Sequence, residues 1–269
     1  MPNEKKLVHD FWNDAACGEA LYLQGNNREA YLAQSQKRYA LEPYISTFAQ
    51  FNAYQNKTVL EIGVGLASDH QKFAEIGAKL YGIDLTERAI SHAKNRLHIF
   101  GLQSSLQVAD AENLPYDDHS FDLVYSWGVL HHTPDTKKAI AEVFRVLKPS
   151  GEAKIMIYHK YSFVGYMLWL RYALLRLKPM TSLAKIYCQY LESPGTKAYS
   201  KKEATELFSC FQSVTINTLL THADLLMSEA GQSHQGLALR LAKFIWPRKL
   251  IKIFFKSHGL FMLISARKN

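Results

Sequence analysis

From residue 58 onward short apolar runs alternate with amphipathic segments, and this alternation constrains the fold more than any other feature of the chain. The runs are Thr58–Val64, Lys79–Leu85, Ser105–Asp110, Phe121–Trp127 and Glu152–Tyr158. Between them, Asp69–Ile76, Glu87–Phe100 and Thr136–Leu147 carry apolar residues at helical spacing. Continuous apolar strands separated by helices imply a parallel sheet covered on both faces. Two later runs, Ser213–Leu220 and Gly259–Ala266, read as strands joined by a long connection, the last as an antiparallel edge strand. The expectation is therefore an α/β, doubly wound, seven-stranded and mostly parallel sheet.

Two regions fall outside the alternation. Residues 1–55 read as helices: Arg28–Ala40 carries Tyr31, Leu32, Ser35 and Tyr39 at helical spacing, and Pro43 opens a further segment. After the fifth strand comes an insertion whose apolar helix spans Phe163–Leu177, with a turn at Pro194-Gly195. The chain then divides into a helical cap (1–55), a core (56–160), an insertion or lid (161–200), and the remainder of the core with a basic C-terminal segment (201–269). No stretch approaches the ~20 apolar residues of a transmembrane helix. The opening Met-Pro-Asn-Glu-Lys-Lys has no apolar signal core behind it, which points to a cytoplasmic protein, with peripheral membrane contact as a variant. Cys17, Cys188 and Cys210 are scattered, which argues against a disulfide framework or a cysteine metal site.

Charge is uneven. Residues 1–150 hold 15 basic and 18 acidic side chains, a net of −3, and residues 151–269 hold 17 and 6, a net of +11. No carboxylate side chain follows Glu229. Such asymmetry marks either an anionic partner or simply a solvated basic face.

Thr58-Val59-Leu60-Glu61-Ile62-Gly63-Val64-Gly65 is an apolar strand ending in a glycine turn, with a helix after it. At the carboxyl end of the first strand of a doubly wound sheet, this is where a nucleotide-like ligand sits. The second strand ends at Asp84, where a carboxylate can accept hydrogen bonds from ribose hydroxyls. The dinucleotide fingerprint fails because its third glycine position is Ser68, and no Gly-Lys-Ser/Thr follows to make a P-loop. Glu61 suits a cationic amino-acid group better than a pyrophosphate, so a sulfonium ligand with an α-amino group fits better than a nicotinamide dinucleotide.

A third stretch, Val108-Ala109-Asp110-Ala111-Glu112-Asn113-Leu114-Pro115, precedes Ser120-Phe121-Asp122-Leu123-Val124, and Arg145-Val146-Leu147-Lys148-Pro149-Ser150-Gly151 precedes the fifth strand. Together these resemble the class I S-adenosylmethionine-dependent methyltransferases grouped with the ubiquinone/menaquinone C-methyltransferases. The resemblance runs from about Thr58 to His159, over a third of the chain. It implies a Rossmann-like sheet with S-adenosyl-L-methionine as cofactor and S-adenosyl-L-homocysteine as product. It further implies that the Gly63–Gly65 loop lies against the methionine part and that Asp84 holds the ribose. Leu85 would pack on the adenine, with Asp110 near its amino group and the Ala111 backbone beside the ring. Ser126, near the end of the fourth strand, is counted on the cofactor side. The chain departs from the family at Leu66-Ala67, where a small polar residue and a glycine are usual.

The fourth strand leads into Gly128-Val129-Leu130-His131-His132-Thr133-Pro134-Asp135. Residues here face the transferred methyl group in such folds, and histidine titrates near neutrality, so His131 or His132 is a candidate base. The plainer role is that one of them braces the following helix. Tyr158 and His159 point toward the same rim. No metal is expected, because His131 and His132 are adjacent rather than at i, i+4 and the other histidines lack ligand spacing.

Three functions fit. A small apolar, aromatic or anionic acceptor, including a lipid-like one at a membrane surface, would enter a pocket capped by residues 1–55 and 160–200. A basic amphipathic stretch, Leu237–Lys256, with Trp246 and Pro247, would alternatively bind RNA as substrate. The third is a non-catalytic cofactor-binding scaffold.

Overall fold

The computed structural model describes residues 2–227 and 246–269. Four helices lead the chain: α1 (Pro2–Asp14), α2 (Glu19–Tyr22), α3 (Arg28–Leu41) and α4 (Tyr44–Ala49). The alternation then follows as β1 (Thr58–Ile62), α5 (Ser68–Glu75), β2 (Lys79–Asp84), α6 (Glu87–Phe100), β3 (Ser105–Val108), β4 (Phe121–Trp127), α7 (Thr136–Val146) and β5 (Leu147–Tyr158). The insertion supplies α8 (Phe163–Tyr172) and α9 (Leu183–Tyr190). After it come α10 (Lys201–Leu207), β6 (Ser213–Leu219), α11 (Arg248–Phe254) and β7 (Phe261–Arg267).

One seven-stranded sheet results, in the order β3-β2-β1-β4-β5-β7-β6, with β7 antiparallel to both of its neighbours and the five preceding strands parallel. Successive residues of a strand face opposite sides. Val59, Leu123, Tyr125 and Met156 accordingly pack beneath Ile45, Phe73, Ile186 and Tyr187 on one face. Leu60, Val124, Ile155 and Ile157 pack against Ile140, Val143, Ala204 and Phe208 on the other. The strand order reverses between β1 and β4, so their carboxyl ends open the crevice in which such sheets bind ligands.

Helix boundaries follow local chemistry. Thr86 caps α6 through Ala89 N, and Gly101 closes it in the left-handed region at φ 67°. Asp135 caps α7, and Ser200 with Glu203 forms a capping box on α10.

Three expectations need correction. The last strand is not the edge: β7 lies between β5 and β6, and the edge is β6. Continuous burial of Phe261–Ile264 fits an interior strand, whereas Ser-Val-Thr-Ile-Asn-Thr-Leu alternates exposed and half-buried positions as an edge strand does. β5 begins at Leu147 rather than Glu152, because Leu147 pairs with Phe121 before the register shifts and Glu152 pairs with Leu123. The helix expected over Phe163–Leu177 stops at Tyr172. A single 3-10 turn, Leu174–Arg176, follows, and Leu177 is left-handed at φ 57° just ahead of Pro179, which disfavours helix before it. Of the amphipathic stretch Leu237–Lys256, residues 237–245 lie outside the described residues. No helix among the described residues is long and apolar enough to cross a membrane.

Candidate active site

The loop after β1 is held by backbone bonds from Gly63 N and Val64 N to Ile83 O (2.8 and 3.2 Å). Gly63 takes φ 81°, and a Cβ there would lie 2.1 Å from Val129 Cγ2, so only glycine lets the loop meet the turn after β4. Gly65, at φ 49°, has nothing within 4 Å of where a Cβ would stand, which leaves its backbone open to a ligand. Ala67 is left-handed as well, at φ 59°, at the position where the family usually carries glycine.

Asp84 ends β2 beside this loop. Its Oδ2 accepts from Gly65 N (3.2 Å) and its Oδ1 from Thr86 N and Oγ1 (3.0 and 2.9 Å). Burial pushes its carboxyl above the ordinary value, against these donors. Leu85 is partly buried and Ala111 buried. Asp110 accepts from Glu112 N (2.9 Å) and from Lys5 Nζ of α1, whose ammonium also reaches Glu112 (2.7 Å). Helix α1 thus lies across the strand ends. Ser126 is fully buried and donates to Ile62 O (3.0 Å), so its hydroxyl ties β4 to β1 from inside the sheet.

Glu61 is buried, with Oε2 2.8 Å from His70 Nδ1. The proton on this bond can be assigned by counting donors. The single hydroxyl proton of Ser104 goes to Leu80 O (2.9 Å), so Ser104 Oγ must accept from His70 Nε2 (2.8 Å). Burial drives the His70 pKa down to about 3, keeping the ring neutral with Nδ1 as acceptor. The carboxyl of Glu61 therefore holds the shared proton, in accord with the rise in its pKa that burial and then Asp69 cause. The neighbouring Asp69 is taken by Arg38 (2.7 Å to Nη2), Tyr39 (2.9 Å) and Tyr125 (2.9 Å), which anchors α3 to the start of α5. Arg96 of α6 is fully buried. It donates to Gln71, Gln34, Leu66 O, Ser68, Tyr31 O and Ser35, bonding α3 to the loop after β1.

Beyond β4 the 3-10 turn Leu130–His132 presents both histidines. His131 is fully buried, and neither ring nitrogen has a hydrogen-bond partner among the described residues. Its ring packs on His132 (centroids 4.2 Å apart) and Tyr158 (4.0 Å). Burial and then His132 hold its pKa well below the usual histidine range. His132 Nδ1 meets Ser193 Oγ (2.9 Å) and Thr196 Oγ1 (3.1 Å), which turns Nε2 to within 3.5 Å of Glu192 Oε2. That carboxylate accepts from the Tyr158 hydroxyl (2.7 Å), and Trp12 of α1 meets the His132 ring edge-on at 5.4 Å. The insertion is strapped to the turn by Lys197, whose N bonds His131 O and whose Nζ bonds Thr133 O.

His159 faces away from this cluster. As the residue after Tyr158 it takes the opposite side, bonding Gly259 O (3.2 Å), and burial lowers its pKa to about 4. Sequence reasoning missed Glu192. Its signal was composition: it is the only carboxylate between Glu152 and Glu203. His131, His132 and Glu192 also bring three ligand atoms within 4.8 Å of one another, a juxtaposition invisible to sequence spacing because the third member comes from the insertion. The carboxylate is already engaged by Tyr158 and the imidazoles are packed ring on ring, an arrangement suited to receiving a proton-bearing group.

Residues 60–155 match the family model described as "Methyltransferase domain". Phosphoethanolamine N-methyltransferase 2 of Caenorhabditis elegans is 32% identical over 148 residues, 52% of this chain and 33% of that protein. The ubiquinone biosynthesis O-methyltransferase of Coxiella burnetii is 28% identical over 146 residues, 54% of this chain and 56% of that one. The chain thus spans from a third to just over half of these curated relatives. Among solved structures, magnesium protoporphyrin IX methyltransferase from Synechocystis, with bound SAH, is similar with a TM-score of 0.61 at 15% identity, covering 98% of this chain and 100% of that one. At that identity the likeness is one of fold.

Proposed function

We propose that this chain, which belongs through its Rossmann-like core to the class I S-adenosylmethionine-dependent methyltransferases, transfers a methyl group to a small acceptor at the His131–His132–Tyr158–Glu192 cluster. One observation carries the reading. The only fully buried imidazole whose two nitrogens lack partners among the described residues stands one turn past β4, two residues after the Val129 that packs on the Gly63 loop.

The cofactor supplies a methyl group already activated on a sulfonium. The protein's part is to align the acceptor, exclude water and accept a proton. Gly63 and Gly65 give the loop its approach to the methionine portion, Glu61 meets the α-ammonium, and Asp84 takes the ribose hydroxyls. Asp110, Ala111 and Leu85 border the adenine. Ser126 supports the site from within the sheet. His131, neutral because it is buried, accepts the hydrogen of the acceptor, and His132 is oriented by Ser193, Thr196 and Glu192. A carboxylate and two imidazoles favour a hydroxyl or amine at the reacting atom over an anion. The rings of Trp12 and Tyr158 favour an apolar or aromatic body beside it. Any anionic group on the acceptor would lie toward the basic half of the chain. Entry requires α1 or the insertion to part from the turn, since both close over the histidines.

A nucleic-acid acceptor is the second reading, favoured by the net charge of +11 on residues 151–269. The enclosure of His131 weighs against it. Calorimetric titration with S-adenosylmethionine tests the reading. Binding is expected, and Asp84→Ala should weaken it by about 1–3 kcal/mol, the scale of charge-assisted hydrogen bonds. No binding by the wild type would sustain the scaffold alternative, and equal affinity in the variant would remove Asp84 from the site. Labelled methyl transfer into cell extracts then separates the acceptors: label in the small-molecule fraction supports the first reading, label in RNA the second.

A further inference from the structure

Two exposed apolar segments, toward opposite ends of α8, fall in stretches of the chain without carboxylates. The tip of the insertion, Leu175-Arg176-Leu177-Lys178-Pro179-Met180, holds Leu175, Leu177 and Met180 at 72%, 91% and 95% exposure. Helix α11 holds Ile253 and Phe254 at 63% and 71%. A soluble fold normally turns such side chains inward, and here Leu177 takes the left-handed conformation at φ 57°, unusual for a γ-branched residue, while standing almost fully exposed. Helix α8 joins them: Tyr166, Leu170 and Leu174, exposed at i, i+4 and i+8, run from its Phe163 end, where α11 packs, toward the tip. The Phe163 ring meets Phe255 at 5.8 Å and Trp246 at 6.0 Å, and Tyr166, one turn on, meets His258 at 6.1 Å.

Charge selects the occupant. No carboxylate occurs between Glu152 and Glu192, nor after Glu229, whereas Arg171, Arg176 and Lys178 flank the tip and Lys249, Lys252 and Lys256 flank the apolar residues of α11. We propose that this face docks on an anionic lipid bilayer, with the apolar residues entering the headgroup boundary and the cations meeting lipid phosphates. Shallow apolar insertion and a basic rim are each weak alone, and together they hold a protein at a membrane surface without a spanning segment. A second copy of the chain fits less well, because two such faces would bring like charges together. RNA fits less well too, because the most exposed side chains of the face, Leu175, Leu177 and Met180, offer no ring on which a base can stack, which leaves Phe254 of α11 as the one well-exposed ring. The surface lies outside the active site, so the proposal stands or falls apart from the methyl-transfer reading.

The test is co-sedimentation of the full chain with phosphatidylcholine vesicles, with and without phosphatidylglycerol. Pelleting is expected with the anionic vesicles only, weakening as salt is raised. L175S/L177S/M180S and, separately, K249E/K252E should each lower the bound fraction about tenfold, with thermal melting unchanged to show an intact fold. A wild type that stays in the supernatant with anionic vesicles, or both variants pelleting as wild type does, overturns the proposal. So does a dimer in sedimentation velocity that L175S/L177S/M180S abolishes, which would assign the face to a second copy. Salt-dependent RNA binding without vesicle binding would make it a nucleic-acid surface and overturn the proposal equally.

Discussion

Glu61→Gln should make the empty protein more stable and the cofactor-binding protein worse. In the wild type the carboxyl holds a proton that it hands into a neutral His70, and the glutamine amide can donate the same bond in the same volume. The unfolded chain releases this proton above pH 4.5, the ordinary value, while the folded chain keeps it. A raised carboxyl thus contributes stability at low pH that is lost as pH rises, at up to about 1.4 kcal/mol per unit for one proton. The wild type therefore loses stability as pH rises above 4.5, a loss that the glutamine variant should not suffer. Cofactor binding responds oppositely. An α-ammonium draws the proton off Glu61 and gains a charge-assisted bond of about 1.5–3 kcal/mol, so the variant should bind roughly 10- to 150-fold more weakly. Urea unfolding from pH 5 to 8 reads the first effect. Calorimetry in buffers of different ionisation enthalpy reads the second, through a proton released by the wild type and absent in the variant. A variant less stable than wild type at pH 7 with an unchanged pH slope would mean that Glu61 is ionised against a charged His70, and the donor count would be wrong.

Gly63→Ala should cost at least about 2 kcal/mol and abolish cofactor binding, since its Cβ meets Val129 at 2.1 Å in a left-handed loop. Adding Val129→Ala should restore part of the stability, and full recovery would show that the backbone conformation carries no strain. Arg96→Met removes the six hydrogen bonds of a buried guanidinium, among them those to Gln34, Gln71 and the Leu66 carbonyl, for a net loss of about 3 kcal/mol after the relief of burying a cation; a urea midpoint equal to wild type would contradict this. Because His131 is neutral well below the usual histidine range, the acid limb of kcat/KM should fall clearly below pH 6.5, and a limb at 6.5 would assign the base elsewhere.

The sheet was legible because each strand carries its own local signal: unbroken apolar runs for β1, β4 and β5, and a glycine turn with a terminal carboxylate for the cofactor side. What sequence could not resolve was adjacency. Gly259–Ala266 and Ser213–Leu220 read equally well as strands, and only their burial patterns decide which one is the edge. Glu61 reads in the sequence as a partner for a cationic group, but His70, which it meets in the structure, lies nine residues on and reaches it only after α5 folds back. Glu192 was lost for a similar reason. Nothing local ties it to His132, sixty residues earlier, and only the folded insertion brings them together. The end of α8 is not legible because apolar periodicity continues through Leu177, although the helix gives way to a 3-10 turn after Tyr172.

Arg96 also divides the N-terminal cap into a part bonded from inside the protein and a part bonded at the rim. Its bonds, with the Arg38–Asp69 pair, rivet α3 to the cofactor loop from inside the protein. Helix α1 is held at the rim by Lys5 on Asp110 and Glu112, and by the exposed contact of His9 with Glu87. Between them Gly18 and Gly25 both take positive φ, at 74° and 98°, at the two ends of the short α2. Loss of the rim contacts alone would therefore leave the bonds of Arg96 and Asp69, and with them the shape of the loop after β1, in place.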